Sequence, residues 1–349
     1  MAERFEDSPH VLSARQFDRE YMNKIFHRAD EFADPLNIHE AEWRLTRKFI
    51  GKIAMTRIFF EPSTRTLDSS VAAAHALGMK VLGTPFAKVS SSVAKGESLV
   101  DYIETENEII SSVYAGGLIV MRHPEAGSAA LAAEVSRVPI INAGDGQNEH
   151  PTQALLDIFT IRQHFKTLKG LHIVLGGDPR YSRTIHSLVE AIATIESDVE
   201  FTFLSGADLW IDEDIKHQLR DRGINFSETD DMDKALKMAD VFYMTRKQED
   251  RIEEPEKADP EYESKMEVIK RARAEYRRYF FRSDSLEKMK ENAILMHPGP
   301  QAGEIEEVPR NHPKNAVRRQ VKHGPRIRAA VFEKSLYLAK EQGWYEQST

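Results

Sequence analysis

Short apolar runs alternate with longer helical patterns along almost the whole chain. The strand-like runs are Ile53–Phe60, Lys80–Gly83, Gly117–Met121, Val138–Asn142, Leu171–Leu175, Glu200–Leu204, Val241–Met244 and Ala293–Met296. Between them apolar residues recur three or four positions apart, as in Ala154, Leu155, Ile158, Phe159 and Ile161. Strands apolar on both faces and separated by helices predict parallel sheets covered on both sides. At 349 residues the chain exceeds one ordinary core, so more than one domain is expected. Two βα series meet near residue 150. The expected fold class is therefore α/β, with two doubly wound parallel-sheet domains joined by a hinge, over 1–150 and 151–324.

One segment interrupts the alternation. Gln248–Arg282 is dense in Glu, Lys and Arg and contains Pro255 and Pro260. It reads as a charged surface insertion over about 249–282, with Glu261–Tyr279 forming a solvated helix rich in charge pairs.

Composition excludes several function classes. Lys plus Arg total 48 against 56 Asp plus Glu, a formal charge of -8. No overall positive field exists to hold nucleic acid or an anionic membrane, although a local cationic pocket remains compatible. The absence of cysteine excludes disulfides, thiolate zinc sites and a cysteine nucleophile. Met1–His10 is polar and acidic, without the basic-then-apolar pattern of a secretory signal. The best apolar stretch without charge, Ser111–Met121, falls far short of the ~20 residues of a spanning helix. A cytoplasmic protein is expected.

The chemistry concentrates where strands give way to helices. Ile58-Phe59-Phe60-Glu61-Pro62-Ser63-Thr64-Arg65-Thr66 passes from an apolar strand into a small-residue helix beginning near Ser63. Helix N-termini favour anions, and three hydroxyls with a guanidinium suit a doubly charged phosphate. An ordinary N-cap is the alternative that these residues alone leave open. No GxxxxGK[ST] occurs, so a nucleotide P-loop is not the source of the signal. Further polar loops follow in order: Ser91-Ser92-Val93-Ala94-Lys95-Gly96-Glu97, Met121-Arg122-His123-Pro124, and Asn142-Ala143-Gly144-Asp145-Gly146 leading into His150-Pro151-Thr152-Gln153. Gly177-Asp178-Pro179-Arg180-Tyr181-Ser182-Arg183, Thr245-Arg246-Lys247-Gln248 and His297-Pro298-Gly299-Pro300 complete the set. Open α/β sheets bind ligands in the crevice at the carboxyl ends of their strands. Singly, His150 reads as a structural hydrogen-bonding residue and Arg183 or Arg246 as a surface charge. As an ordered set they read as a site.

This set resembles the aspartate and ornithine carbamoyltransferase family over nearly the whole chain. Ser63-Thr64-Arg65-Thr66 is similar to the family's carbamoyl-phosphate motif, and His150-Pro151-Thr152-Gln153 to its second motif. Lys95-Gly96-Glu97, Arg246-Lys247-Gln248 and the His297-Pro298-Gly299-Pro300 loop resemble the aspartate-specific branch. Ornithine enzymes typically carry His-Cys-Leu-Pro at the last position, and this chain has no cysteine.

The resemblance implies transfer of a carbamoyl group from carbamoyl phosphate to the amine of aspartate, in pyrimidine synthesis. It implies that Ser63, Thr64, Arg65 and Thr66 hold the phosphate, with Ser91 and Lys95 arriving from a neighbouring subunit of a homotrimer. Thr66, Arg122 and His150 would donate to the carbonyl oxygen and Gln153 would orient the amide. Arg183, Arg246, Gln248 and Lys95, with the carbonyls of Pro298 and Gly299, would hold aspartate. Glu61 would bridge to Arg183 and Arg251 on closure. The C-terminal stretch, about 325–349, would return to the first domain as a helix over Arg326–Gln342. Neither a metal, a cofactor nor a covalent intermediate is required, and regulatory chains or other pyrimidine enzymes are further partners to consider.

Two departures from the family bear on detail. Leu67-Asp68-Ser69-Ser70 follows Thr66 where relatives carry arginine and a Ser-Phe pair, so the packing behind the phosphate loop is expected to differ. Gln301-Ala302-Gly303 follows the proline loop where many relatives place an arginine, which removes charge on the acceptor side. A carbamoyltransferase with another acceptor and a non-catalytic assembly or regulatory paralogue are the rival readings. The second conflicts with the retention of Ser63, Arg65, Thr66, Arg122, His150 and Gln153.

Overall fold

The computed structural model describes residues 7–34, 51–248, 260–275 and 278–345. The chain forms two compact units, Met1–Phe159 with Val321–Thr349, and Thr160–Gln320.

The first unit contains α1 (Arg19–Glu31), β1 (Ile53–Phe59), α2 (Thr64–Ala76), β2 (Lys80–Thr84), α3 (Leu99–Val113), β3 (Gly116–His123), α4 (Ser128–Val135) and β4 (Ile140–Asp145). Its strands lie in the order β2-β1-β3-β4, and every neighbouring pair is parallel. Burial explains the sequence signal. Central β1 and β3 are buried almost throughout because helices cover both faces, whereas edge strand β2 is mostly half-exposed. Ile58, Ile103, Ile119, Ala132 and Ile140 form part of the core between the sheet and α3–α4.

The second unit contains β5 (Leu171–Gly176), α6 (Arg183–Ile195), β6 (Val199–Leu204), α7 (Glu213–Asp221), β7 (Asn225–Thr229), α8 (Met232–Met238), β8 (Val241–Met244), α9 (Tyr262–Glu275) and β9 (Ile294–Met296). Here the order is β7-β6-β5-β8-β9, again wholly parallel. Strand β7 is absent from the sequence expectation. Asn-Phe-Ser-Glu-Thr has no apolar run, because an edge strand with half-exposed faces needs none.

Helix α5 (Pro151–Phe165) links the units, and the division falls inside it rather than at His150–Pro151. The reason is packing: Phe159 still meets Phe26, with ring centroids 5.5 Å apart, and the His323 ring at 4.9 Å. The chain returns through α10 (Val317–Glu341), which joins the first unit from Val321 onward. Arg28 binds both Glu333 oxygens, at 2.5 and 2.9 Å, and Tyr345 donates to the Gly117 carbonyl at 3.0 Å. The C-terminal stretch therefore packs on the first unit, as expected.

Residues 249–259 and 276–277 of the charged insertion, Arg251 among them, lie outside the described residues. Helix α9 within it is not solvated all round. Ala272 is buried against Leu209, and Arg271 pairs with Asp208 at 3.0 Å.

Candidate active site

Each sheet has one place where strand order reverses. In the first, the chain leaves β1 for β2 on one side and reaches β3 on the other; in the second, β5 stands between β6 and β8. Connections diverge from such points and leave a crevice beyond the strand ends. The polar motifs sit at those ends.

In the first unit, β1 delivers Glu61 and the Ser63–Thr66 turn, with Ser63 as N-cap of α2. The Ser63 side chain makes no capping bond, so its hydroxyl is not consumed by the helix. Small residues let α2 lie close against its neighbours: Ser69, Ser70, Ala73 and Ala74 are buried. The Ser70 hydroxyl donates back to the Thr66 carbonyl at 2.7 Å.

Strand β3 delivers Arg122, whose Nε is 3.2 Å from Glu61 and whose Nη1 donates to the Ala143 carbonyl at 3.4 Å. Arg122 thereby ties the ends of β1, β3 and β4 together. From β4, the loop Gly146–Glu149 carries His150 to the start of α5. His150 Nε2 lies 3.3 Å from Thr66 Oγ1, although the two residues are 84 positions apart. The N-termini of α2 and α5 thus flank one small set of donors, and their dipoles add positive potential.

The His150 loop is held from beneath by two buried carboxylates. Asp145 accepts from Asn142 Nδ2 (2.9 Å), Glu149 N (3.1 Å), Gly127 N (2.9 Å) and Asn148 Nδ2 (3.0 Å). Glu149 accepts from the Ser13 hydroxyl (2.6 Å) and Ala14 N (3.1 Å). Gly146 allows the turn: its φ is 53°, and a Cβ would stand 2.8 Å from the Pro124 carbonyl. Gln153, one turn into α5, donates to both Asp157 oxygens at 3.0 and 3.2 Å.

Ser91 and Lys95 stand apart from this group, on the loop after edge strand β2. Ser91 Oγ donates to the Ala87 carbonyl at 2.6 Å. Lys95 is exposed and makes no hydrogen bond or ion pair among the described residues.

The second unit assembles its own polar group at the β5–β8 ends. Gly177 (φ 102°) is pressed against β8, where a Cβ would stand 2.4 Å from the Thr245 carbonyl. Asp178, fully buried, accepts from Tyr181 N (2.9 Å) and Gln248 N (3.2 Å), so it fixes the loop bearing Arg183 and the strand exit bearing Arg246. Arg183, first residue of α6, is 2% exposed. Arg246 Nη1 donates to the Lys247 carbonyl at 2.9 Å. Gln248 Nε2 donates to the Arg246 carbonyl at 3.3 Å, while its buried Oε1 has no partner among the described residues.

After β9, Gly299 N donates to His297 Nδ1 at 2.8 Å, which leaves the ring proton on Nε2, 2.5 Å from Glu304. Burial works against the Glu304 charge, but hydrogen bonds from His297 and Ala302 N–H hold its carboxyl below the usual value. This buried pair shapes the loop presenting the carbonyls of Pro298 and Gly299.

The sequence assigns no role to Asp145, Glu149, Asp157 or Asp178, although Asp145 and Asp178 lie inside polar loops that it marks. Asp157 left a usable signal, its position four residues after Gln153 on one helix face. Glu61 pairs with Arg122 inside the first unit, and Arg251 lies outside the described residues.

Comparison with known proteins points the same way as the geometry. The family model described as the carbamoyl-P binding domain of aspartate/ornithine carbamoyltransferase matches residues 9–163, and its Asp/Orn binding domain matches 169–334. The aspartate carbamoyltransferase catalytic subunit of Thermococcus kodakarensis is 40% identical over 327 residues, 92% of this chain and 95% of that one. The multifunctional protein CAD of Squalus acanthias is 37% identical over 93% of this chain, which is 13% of its own length. Aspartate transcarbamoylase from Trypanosoma cruzi, solved with carbamoyl phosphate and aspartate, superposes with a TM-score of 0.78 at 28% identity, covering 95% of this chain and 98% of that one. With both domain models matched in order, and their motifs at the strand ends where the two sheets reverse, the chain belongs to the aspartate/ornithine carbamoyltransferase family.

Proposed function

We propose that this chain transfers the carbamoyl group of carbamoyl phosphate to the amino group of L-aspartate, giving N-carbamoyl-L-aspartate and phosphate for pyrimidine synthesis. The observation that carries the reading is the approach of Thr66 to His150 at 3.3 Å between two helix N-termini, with Arg122 tied to the same strand ends. A hydroxyl, an imidazole and a guanidinium so placed suit one oxygen that gains negative charge.

The reaction follows from that charge. The neutral amine nitrogen attacks the carbonyl carbon, and the oxygen becomes an oxyanion facing Thr66, Arg122 and His150. Donors already in place need no reorganisation at that moment, and each contributes about 3 kcal/mol when removed singly. The C–O bond to phosphate then breaks, and the departing phosphate takes a proton from the amine. Ser63, Thr64, Arg65 and Thr66 neutralise the phosphate. Arg183 and Arg246 each grip one aspartate carboxylate, a fork that lysine cannot reproduce. The carbonyls of Pro298 and Gly299 accept from the two N–H groups of the amine, and Gln248 and Lys95 add contacts to aspartate. No covalent intermediate enters, so holding two substrates in reactive orientation supplies much of the acceleration.

Assay of the purified chain with carbamoyl phosphate, and L-aspartate and L-ornithine in parallel, tests the reading. Aspartate-dependent formation of N-carbamoyl-L-aspartate is the expected result. Turnover with ornithine alone transfers the chain to the other branch, and turnover with neither removes the enzymatic reading.

The proposal includes a cytoplasmic homotrimer with shared sites. The exposed Lys95, on a loop at the sheet edge with no partner among the described residues, supports a role for it in a neighbouring copy. Co-refolding inactive Lys95→Ala and Arg65→Ala chains then restores activity, because some mixed sites carry neither change. Activity no higher than either parent, in trimers shown to be mixed, removes the shared site.

A further inference from the structure

Gln153 is nearly buried, at 8% exposure, and Asp157 is completely buried. Gln153 Nε2 lies 3.0 and 3.2 Å from the two Asp157 oxygens. An ionised carboxylate only accepts hydrogen bonds, so the amide nitrogen must be the end facing Asp157. The carbonyl oxygen is then the end left for a ligand, and no protein donor among the described residues reaches it. Arg328 of α10 is also buried, at 3% exposure. Burial lowers the Arg328 guanidinium to about 10, while the Asp157 carboxylate acts in the opposite sense.

We propose that Asp157 is a positioning residue that locks the Gln153 amide with its oxygen toward the substrate, so that the site selects an acyl phosphate carrying an NH2 donor. This rests on the function proposed above and deepens it. A glutamine free to turn presents either an acceptor or a donor with equal ease, and selects neither. Locked, it accepts from the carbamoyl NH2 and leaves a methyl group in that place unpaired. The carbamoyl group is thereby distinguished from the acetyl group, which has the same shape and lacks the donor.

The test measures dissociation constants of carbamoyl phosphate, acetyl phosphate and inorganic phosphate for wild type and Asp157→Asn by calorimetry. Wild type is expected to favour carbamoyl over acetyl phosphate by about tenfold, the scale of one hydrogen bond to a buried group. In Asp157→Asn that preference falls about 5- to 10-fold, and inorganic phosphate stays within about twofold. If the single change does not fold, Asp157→Asn with Arg328→Met removes both charges and leaves neither buried alone, and the same result is expected. A folded variant that keeps the wild-type preference overturns the proposal, as does a uniform weakening of all three ligands. Because binding is read directly, a chain that selects carbamoyl phosphate yet forms no carbamoyl aspartate contradicts the proposed function and leaves the lock standing.

Discussion

His150→Ala is expected to lower kcat by about 100- to 1,000-fold, the range for loss of one preorganised oxyanion donor. The geometry limits where that loss falls. His150 stands against Thr66 at 3.3 Å, while the other hydroxyls proposed to bind phosphate, Ser63 and Thr64, lie at the start of the helix after β1. Competitive inhibition by inorganic phosphate should therefore change by no more than about threefold, since ground-state binding of phosphate makes little use of the imidazole. Steady-state kinetics with phosphate as inhibitor separates the two effects. An unaltered kcat would remove His150 from the oxyanion site; equal losses in turnover and phosphate affinity would make it a phosphate ligand instead.

Asp145→Ala is expected to destabilise the protein by about 4 kcal/mol, an effect of the size seen when a buried hydrogen-bond network is broken. One carboxylate serves four donors from Gly127, Asn142, Asn148 and Glu149, and Asp145 is 2% exposed. Water cannot readily replace it. One of those donors is the Glu149 backbone N–H and another the Asn148 side chain, both in the loop leading to His150, so part of the loss should appear as disorder at the site. Asp145→Asn keeps the shape but turns one acceptor into a donor facing other donors, and about half the effect is expected. Thermal unfolding of the three proteins, with kcat at a temperature where all are folded, measures both consequences. An alanine variant within about 1 kcal/mol of wild type would show that the loop is held by its backbone alone.

How far sequence reached depended on the range of the physics involved. Parallel strands buried on both faces must be apolar throughout, so β1, β3, β5 and β8 stood out as runs. Edge strand β7 satisfies its faces with half-exposed polar side chains and left no run. The Ser63–Thr66 and His150–Gln153 motifs were legible because each lies within one turn of a helix start, a local arrangement. The compact units divide within α5, after Phe159, which stayed hidden because the sequence marks where a helix begins and does not show which core its third turn joins.

The sequence by itself determined the alternating α/β pattern, the absence of thiol chemistry and the residue types available for an anion and two carboxylates. Tertiary structure alone decided which of them meet. Thr66 and His150, 84 positions apart, are brought to 3.3 Å by parallel crossovers that return successive strands to the same sheet edge. It also decided which carboxylates are supports. Asp145, Asp157 and Asp178 resemble surface aspartates as letters, and become fixed acceptors only because the fold removes water and surrounds them with N–H groups. Desolvation depends on the whole packed chain, and no local window of residues encodes it.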